Sequence, residues 1–293
     1  MMGRPTKISK ALPRIERFFK KNKETEVYTY DQLRVILKEH KEKWNLPKAF
    51  HTELFINALL GGKVGLEKKT FSFYPADITR YVLGPAGFPD ALKLAASLNK
   101  KAYLSHYTAL YLHGLTEQLP KTIYVSYEQK ATPVKGPVIL LQANIDRAFR
   151  SSPRVSKNEA DYGDYKIILL NGKNTEETGV VVKNGVRITS LERTLIDGVV
   201  RPFYAGGVFE VLKAFEVAKQ TLSVNTIQAM LRKINYIYPY KQALGFYLER
   251  AGYREKQLNL LETDPFTHDF YLTYKMQTTE YSKRWRLYYP KGM

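Results

Sequence analysis

No cysteine occurs among the 293 residues, which removes disulfides, thiolate zinc sites and cysteine nucleophiles together. No apolar run approaches the roughly eighteen residues that a membrane-spanning helix needs. The first ten residues, MMGRPTKISK, lack the apolar middle of a secretory signal. These absences point to a cytoplasmic protein with no membrane partner. Histidine is scarce, and the five positions (40, 51, 106, 113 and 268) form no HxH or HxxxH spacing. No metal site and no cofactor are therefore expected. A Walker loop is missing, and Gly84, Gly87 and Gly206-Gly207 match no dinucleotide fingerprint. Ser105-His106 lacks nucleophile-elbow spacing and a third partner, so no catalytic residue is assigned and the chain is read as a non-enzyme.

Acidic residues are also short: 28 Asp and Glu stand against 46 Lys and Arg, a formal charge of +18. Such an excess repels itself and is best accommodated beside a polyanion, nucleic acid being the commonest. Residues 1–80 hold 17 Lys and Arg against 9 Asp and Glu, so the charge is concentrated towards the start of the chain.

The same eighty residues read as a separate domain. Ile8, Leu12, Ile15, Phe18 and Phe19 recur at helical spacing, with Lys7, Lys10, Arg14, Arg17, Lys20 and Lys21 on the other face. Thr29-Tyr-Asp31 opens a second helix with Leu33, Ile36 and Leu37 as its stripe. A third is expected from Pro47 to Leu60, stopped by Gly61-Gly62. Two β-prone runs, 64–66 and 70–74, flank the charged 67–69 segment and suggest a hairpin with Lys68 and Lys69 at its tip. Three helices and a basic hairpin are the plan of a winged helix-turn-helix, in which the third helix enters the major groove of double-stranded DNA. Lys48, His51 and Thr52 would then approach bases or phosphates, Lys68 and Lys69 the phosphates, and Arg4 a minor groove. A basic three-helix packing module fits the same pattern.

Residues 81–293 read as a larger mixed α/β domain, so the whole chain is α+β. A helix is expected over 90–99, with Leu92, Ala95, Ala96 and Leu98 inward, and Ser105 is a natural cap for a short helix ended by Gly114. Strands are expected at 122–126, 138–141, 165–170 and 179–182, with parallel or antiparallel pairing open, and a polar loop at 148–160. Thr189 and Glu192 have capping-box spacing, and Arg193 and Asp197 sit i, i+4 for an ion pair. Helical patterns follow at 208–220, 224–235 and 239–251. Two alternating runs, 270–276 and 284–289, close the chain, with Trp285 and Leu287 inward and Arg284 and Arg286 outward.

Two blocks carry a family resemblance. Tyr103-Leu-Ser-His-Tyr-Thr-Ala-Leu-Tyr-Leu-His-Gly-Leu115 with Gln118-Leu-Pro-Lys-Thr-Ile-Tyr-Val125 resembles the signature of the AbiEi antitoxin family, transcriptional regulators of viral-defence operons. Ile188-Thr-Ser-Leu-Glu-Arg-Thr-Leu-Ile-Asp197, then Arg201-Pro202 and Gly206-Gly207, is similar to the family's second block, and the stretch around Trp285-Arg-Leu287 to its closing strand. The resemblance implies a repressor of its own operon that binds inverted repeats, and such a two-fold operator calls for a pair of molecules, either preformed or assembled on DNA. It also implies the antitoxin of a type IV abortive-infection pair, opposing a nucleotidyltransferase-like toxin with no stable complex required. Within those blocks Ser105, His106, His113, Glu192, Arg193 and Asp197 are the candidate antitoxin residues. Two rival classes stay open: a metal-dependent nuclease drawing on Asp161 and Asp164, and a module that binds an acidic protein.

Overall fold

The computed structural model describes residues 7–21, 27–60, 62, 64–84, 88–131, 136 and 139–293. The chain is mixed α+β, with about 42% helix and 20% strand, and separates into two compact units. The first comprises residues 1–100 and 158–167, and the second 101–157 and 168–293.

The first unit begins with α1 (Lys7–Lys21), β1 (Val27–Tyr28), α2 (Tyr30–His40) and α3 (Thr52–Leu60). The strands β2 (Leu66–Phe71) and β3 (Ile78–Leu83) follow, then α4 (Phe88–Ser97). Helix α1 leaves its cationic face in solvent, as its spacing predicts, and buries Ala11, Ile15 and Phe19, while the expected Ile8, Leu12 and Phe18 are half-buried. Thr29 caps α2 through a reciprocal bond with Gln32. Phe19, Leu33, Leu37, Trp44, Phe55 and Leu59 meet in one core, with Trp44 stacked on Phe55 at 5.7 Å. The sheet runs β1-β3-β2, antiparallel throughout.

The expected boundary at residue 80 falls inside β3, which pairs with both β1 and β2. Arg80 itself holds α4 in the same unit: its guanidinium donates to Ser97 Oγ at 3.0 Å and to the Ser97 carbonyl at the helix C-terminus. The inner face of α4 is Ala91, Leu94, Ala95 and Leu98, so the expected Leu92 and Ala96 are only half-buried.

The second unit opens with β4 (Tyr103–Leu104), α5 (His106–Leu112), β5 (Thr122–Glu128) and α6 (Gln142–Arg150). Next come β6 (Glu159–Tyr162) and β7 (Tyr165–Gly172), of which residues up to 167 group with the first unit, then β8 (Val180–Lys183) and β9 (Val186–Thr189). The strand order is β6-β7-β5-β4-β9-β8. Pairing is mixed: β4 runs antiparallel to β5 and parallel to β9, and β8 and β9 form a hairpin. Helices α7 (Leu191–Val200), α8 (Val208–Val217), α9 (Val224–Ile234), α10 (Tyr240–Arg250) and α11 (Glu255–Leu258) follow. A small sheet of β10 (Phe270–Tyr271), β11 (Thr279–Ser282) and β12 (Leu287–Pro290), ordered β10-β12-β11, ends the chain.

Several local expectations change here. Residues 139–141 are not a strand, and most of the expected loop's first turn is helix α6, whose Ile145 and Phe149 enter the core. The run at 270–276 is extended only at Phe270–Tyr271. Trp285 and Leu287 are buried as expected. Arg284 and Arg286, however, are spent on ion pairs: Arg284 reaches Glu249, Glu255 and Glu262 at 3.2, 2.7 and 2.6 Å, and Arg286 reaches Asp269 at 2.9 Å.

Trp285 lies flat against the backbone of α10 at Gly245, where a Cβ would overlap its ring. The Gly245→Ala variant is expected to lose about 2–3 kcal/mol of stability, because a close-packed interior cannot absorb an added methyl group at backbone. Urea unfolding followed by Trp285 emission measures this, and an unshifted midpoint would contradict the packing described.

Candidate functional site

In the first unit the expected DNA-contacting residues separate into distinct places. Arg4 lies outside the described residues. Helix α3 begins at Thr52, not Pro47, so Lys48 and His51 lie in the connection that leads into it. That connection is pinned from behind: Lys41 Nζ donates to the carbonyls of Lys48 and Phe50, each at 2.7 Å. Lys48 is thereby exposed beside the α3 N-terminus. His51 is exposed too, but its Nδ1 sits 2.8 Å from Glu53, which also accepts from Tyr30 OH. Thr52 is buried and offers nothing to a groove. The ambiguity over the face of α3 is resolved: Phe55, Ile56 and Leu59 face inward, while Glu53, Leu54 and Asn57 face solvent. Asn57 went unnoticed in the sequence because a lone Asn in an apolar helix carries no periodic signal.

Lys68 and Lys69 are not at a hairpin tip. They lie within β2, opposite Tyr81 and Arg80 of β3, because strand pairing extends across the charged segment. Lys69 pairs with Glu67 at 2.7 Å on one face, whereas Lys68 points to the other and is exposed. The actual turn is residues 72–77, where Tyr74 is 85% exposed. It is tied to Asn158, whose side chain accepts from Tyr74 N at 2.9 Å and donates to Tyr74 O at 3.0 Å. Tyr162 packs edge-on against Phe71 at 6.2 Å.

In the second unit, Ser105, His106, Arg193 and Asp197 converge in a buried polar core. Ser105 does not cap α5 with its side chain. Its hydroxyl bonds Ser126 at 2.7 Å and His106 Nδ1 at 2.9 Å instead. Ser105 has no exposed surface, so this serine–histidine contact is a fully enclosed hydrogen bond. His106 adopts φ +51°, and its ring sits 5.4 Å from Tyr204. Burial pushes its pKa down to about 4, which Asp197 opposes and Arg201 and Arg193 reinforce.

The expected ion pair forms, and it is internal: Arg193 Nε bonds Asp197 Oδ1 at 2.8 Å with both side chains below a tenth exposed. Arg193 Nη1 also donates to Thr175 Oγ1 at 3.0 Å and to the Thr178 carbonyl at 2.6 Å. Thr175 continues the network to Glu128, which also accepts from the Thr175 and Glu177 N–H groups. Burial works against the Glu128 carboxylate, but these bonds outweigh it and hold its pKa low. Burial likewise opposes the Arg193 charge, but Asp197 together with Tyr236 and Tyr103 outweighs it and the pKa is raised. Tyr103 and Tyr236 lie in the same field, their pKa values raised by burial and then by Asp197.

His113 and Glu192 sit apart from this core and brace neighbouring elements. His113 Nε2 contacts the Thr189 carbonyl at 2.7 Å, and burial lowers its pKa. The cap of α7 is Ser190, whose hydroxyl accepts from Arg193 N, and not Thr189, which is buried against Thr194. Glu192 accepts from the Ser190 hydroxyl and from Ser223 N, each at 3.4 Å, and so links that cap to the start of α9.

Asp161 and Asp164 flank Gly163 at the β6–β7 turn. Among the described residues no three His, Asp or Glu side chains are grouped to hold a metal ion, and no helix is long and apolar enough to cross a membrane. The first signature block does border open space: Tyr107, Gln118, Lys121 and Tyr124 line a cleft of about 350 Å³ with Gly206 from the second block.

No family model and no curated protein matches the chain. Among solved structures it is similar to the crystal structure of the RV2827C protein from Mycobacterium tuberculosis, with a TM-score of 0.58 at 14% identity. The alignment covers 97% of this chain and 92% of that one. That likeness concerns the fold.

Proposed function

We propose that the chain is a cytoplasmic DNA-binding repressor whose first unit is a winged helix-turn-helix, and whose second unit carries an antitoxin activity against a nucleotidyltransferase-like toxin. The observation that supports the DNA-binding half is the order of elements: α1-β1-α2-α3-β2-β3, with strands arranged β1-β3-β2. In that order the α3 face bearing Leu54 and Asn57 is the reading surface, and the β2–β3 hairpin is the wing. Asn57 has the donor–acceptor pair that suits adenine in a major groove. Lys48 and Lys68 supply phosphate contacts, and the α1 cations add long-range attraction. A two-fold operator would engage two copies.

Reversing charge with Lys48→Glu and Lys68→Glu together is expected to weaken binding to the chain's own upstream DNA by about tenfold or more. Asn57→Ala should instead narrow the preference for that DNA over a scrambled duplex. Fluorescence anisotropy at two salt concentrations measures both. Affinity that is flat in salt, or indifferent to the double reversal, would refute the assignment.

The antitoxin half is supported by the two sequence blocks, whose residues border the Tyr107 cleft. Co-expression with a neighbouring nucleotidyltransferase-like gene is its test. Growth should be restored by the intact chain, and failure to restore it would refute that half alone.

A further inference from the structure

A second cavity in the same unit, of about 550 Å³, lies where α6 meets the segments that follow α7 and precede α10. Three arginines line it from separate stretches of chain: Arg147 in the last turn of α6, Arg154 beyond that helix, and Arg201 at the end of α7. All three are exposed, and none forms an ion pair among the described residues. No Asp or Glu lines the cavity. Guanidinium groups gathered without a carboxylate repel one another, and their planar forks match phosphate oxygens.

The rest of the lining includes three aromatic side chains, Phe203, Tyr238 and Tyr274. These rings are held in place. Phe149 stacks on Tyr274 at 4.4 Å and meets Tyr238 edge-on at 5.5 Å, while Phe203 sits edge-on to Tyr274 at 6.2 Å. The Lys275 N–H donates to the Phe149 carbonyl at 2.7 Å, fixing the backbone next to Tyr274. A cavity lined by braced aromatic rings and by guanidinium groups has two complementary requirements, a flat π-system and a cluster of anionic oxygens.

We propose that this cavity binds a nucleoside phosphate, with its phosphates on Arg147, Arg154 and Arg201 and its base against Phe203, Tyr238 and Tyr274. An inorganic anion would satisfy the arginines and leave the aromatic rings unused. A nucleic-acid strand would need an open groove, whereas this space is of the size that encloses a single small ligand. The site is independent of the DNA-binding surface, which lies in the other unit.

Titration calorimetry of the full chain with adenosine triphosphate at about 150 mM salt should show saturable binding tighter than about 100 µM. Arg147→Ala, Arg154→Ala and Arg201→Ala should each weaken it by about tenfold or more, with thermal midpoints unchanged because the side chains are exposed. Adenosine alone and inorganic triphosphate should each bind at least about tenfold more weakly than the nucleotide. The Lys48→Glu, Lys68→Glu double variant should bind it normally, which separates this site from non-specific attraction to the first unit. Inorganic triphosphate binding as tightly as the nucleotide would overturn the proposal in favour of a plain anion site. Absence of binding, or binding untouched by the arginine changes, would overturn it outright. A single-stranded oligonucleotide that binds through the arginines and is not displaced by the nucleotide would overturn it in favour of a strand.

Discussion

Replacing Arg193 by methionine will destabilise the second unit by about 3–5 kcal/mol, the range for stranding one member of a buried ion pair. The cause is the Asp197 carboxylate, left inside the protein without the guanidinium that donates to it. Thr175 and the Thr178 carbonyl lose a donor at the same time. The informative comparison is the double variant Arg193→Met, Asp197→Leu. With no charge stranded, it should recover much of the loss, so the two changes together cost less than their sum by about 2 kcal/mol. The chain has only two tryptophans, Trp44 in the first unit and Trp285 in the second. In a Trp44→Phe background, Trp285 emission under urea therefore reports on this unit alone. Additive costs in the cycle would mean that the pair behaves like an exposed one, contrary to its burial.

Acid will unfold the same unit earlier than its carboxylates alone require, because His106 is held neutral. Its pKa in the folded chain is pushed down to about 4, against 6.5 for the free group. Between those values the unfolded state binds a proton that the folded state refuses, so stability rises with pH. The contribution is complete above pH 6.5 and is lost as pH falls through the window to 4. A gap of this size corresponds to roughly 3 kcal/mol. His113, also depressed by burial, adds to the same limb. The apt substitution is His106→Asn, since asparagine tolerates the left-handed φ of +51° at this position and cannot titrate in the window. Urea midpoints at pH 7.5, 6 and 5 should fall steeply for the natural chain and more gently for the variant. Parallel slopes would show that His106 is not the group being protonated.

Both predictions concern residues singled out from the sequence for a possible antitoxin role, which the structure places in buried polar contacts. Ser105 and His106 looked notable by residue type, and Arg193 and Asp197 by i, i+4 spacing. Neither signal distinguishes a surface from an interior. Burial decided the matter: an ion pair that α7 would display in isolation is enclosed by the segment carrying Thr175 and Thr178. The cationic cavity shows the converse. Arg147, Arg154 and Arg201 are unremarkable along the chain and become a cluster only when α6, unanticipated as a helix, packs beside the end of α7.

What the sequence determined by itself was the local and the periodic: the cationic face of α1, the Thr29 cap, the helical patterns of α8, α9 and α10, and the buried Trp285. These follow from interactions within a few turns of one helix or from the hydrophobicity of one side chain. Only the tertiary structure decided that Lys68 and Lys69 lie within a strand, that Asn158 ties the turn at Tyr74, and that a parallel pair joins β4 to β9. Strand ends and pairing partners depend on residues tens of positions away, whose approach leaves no periodic trace in either segment.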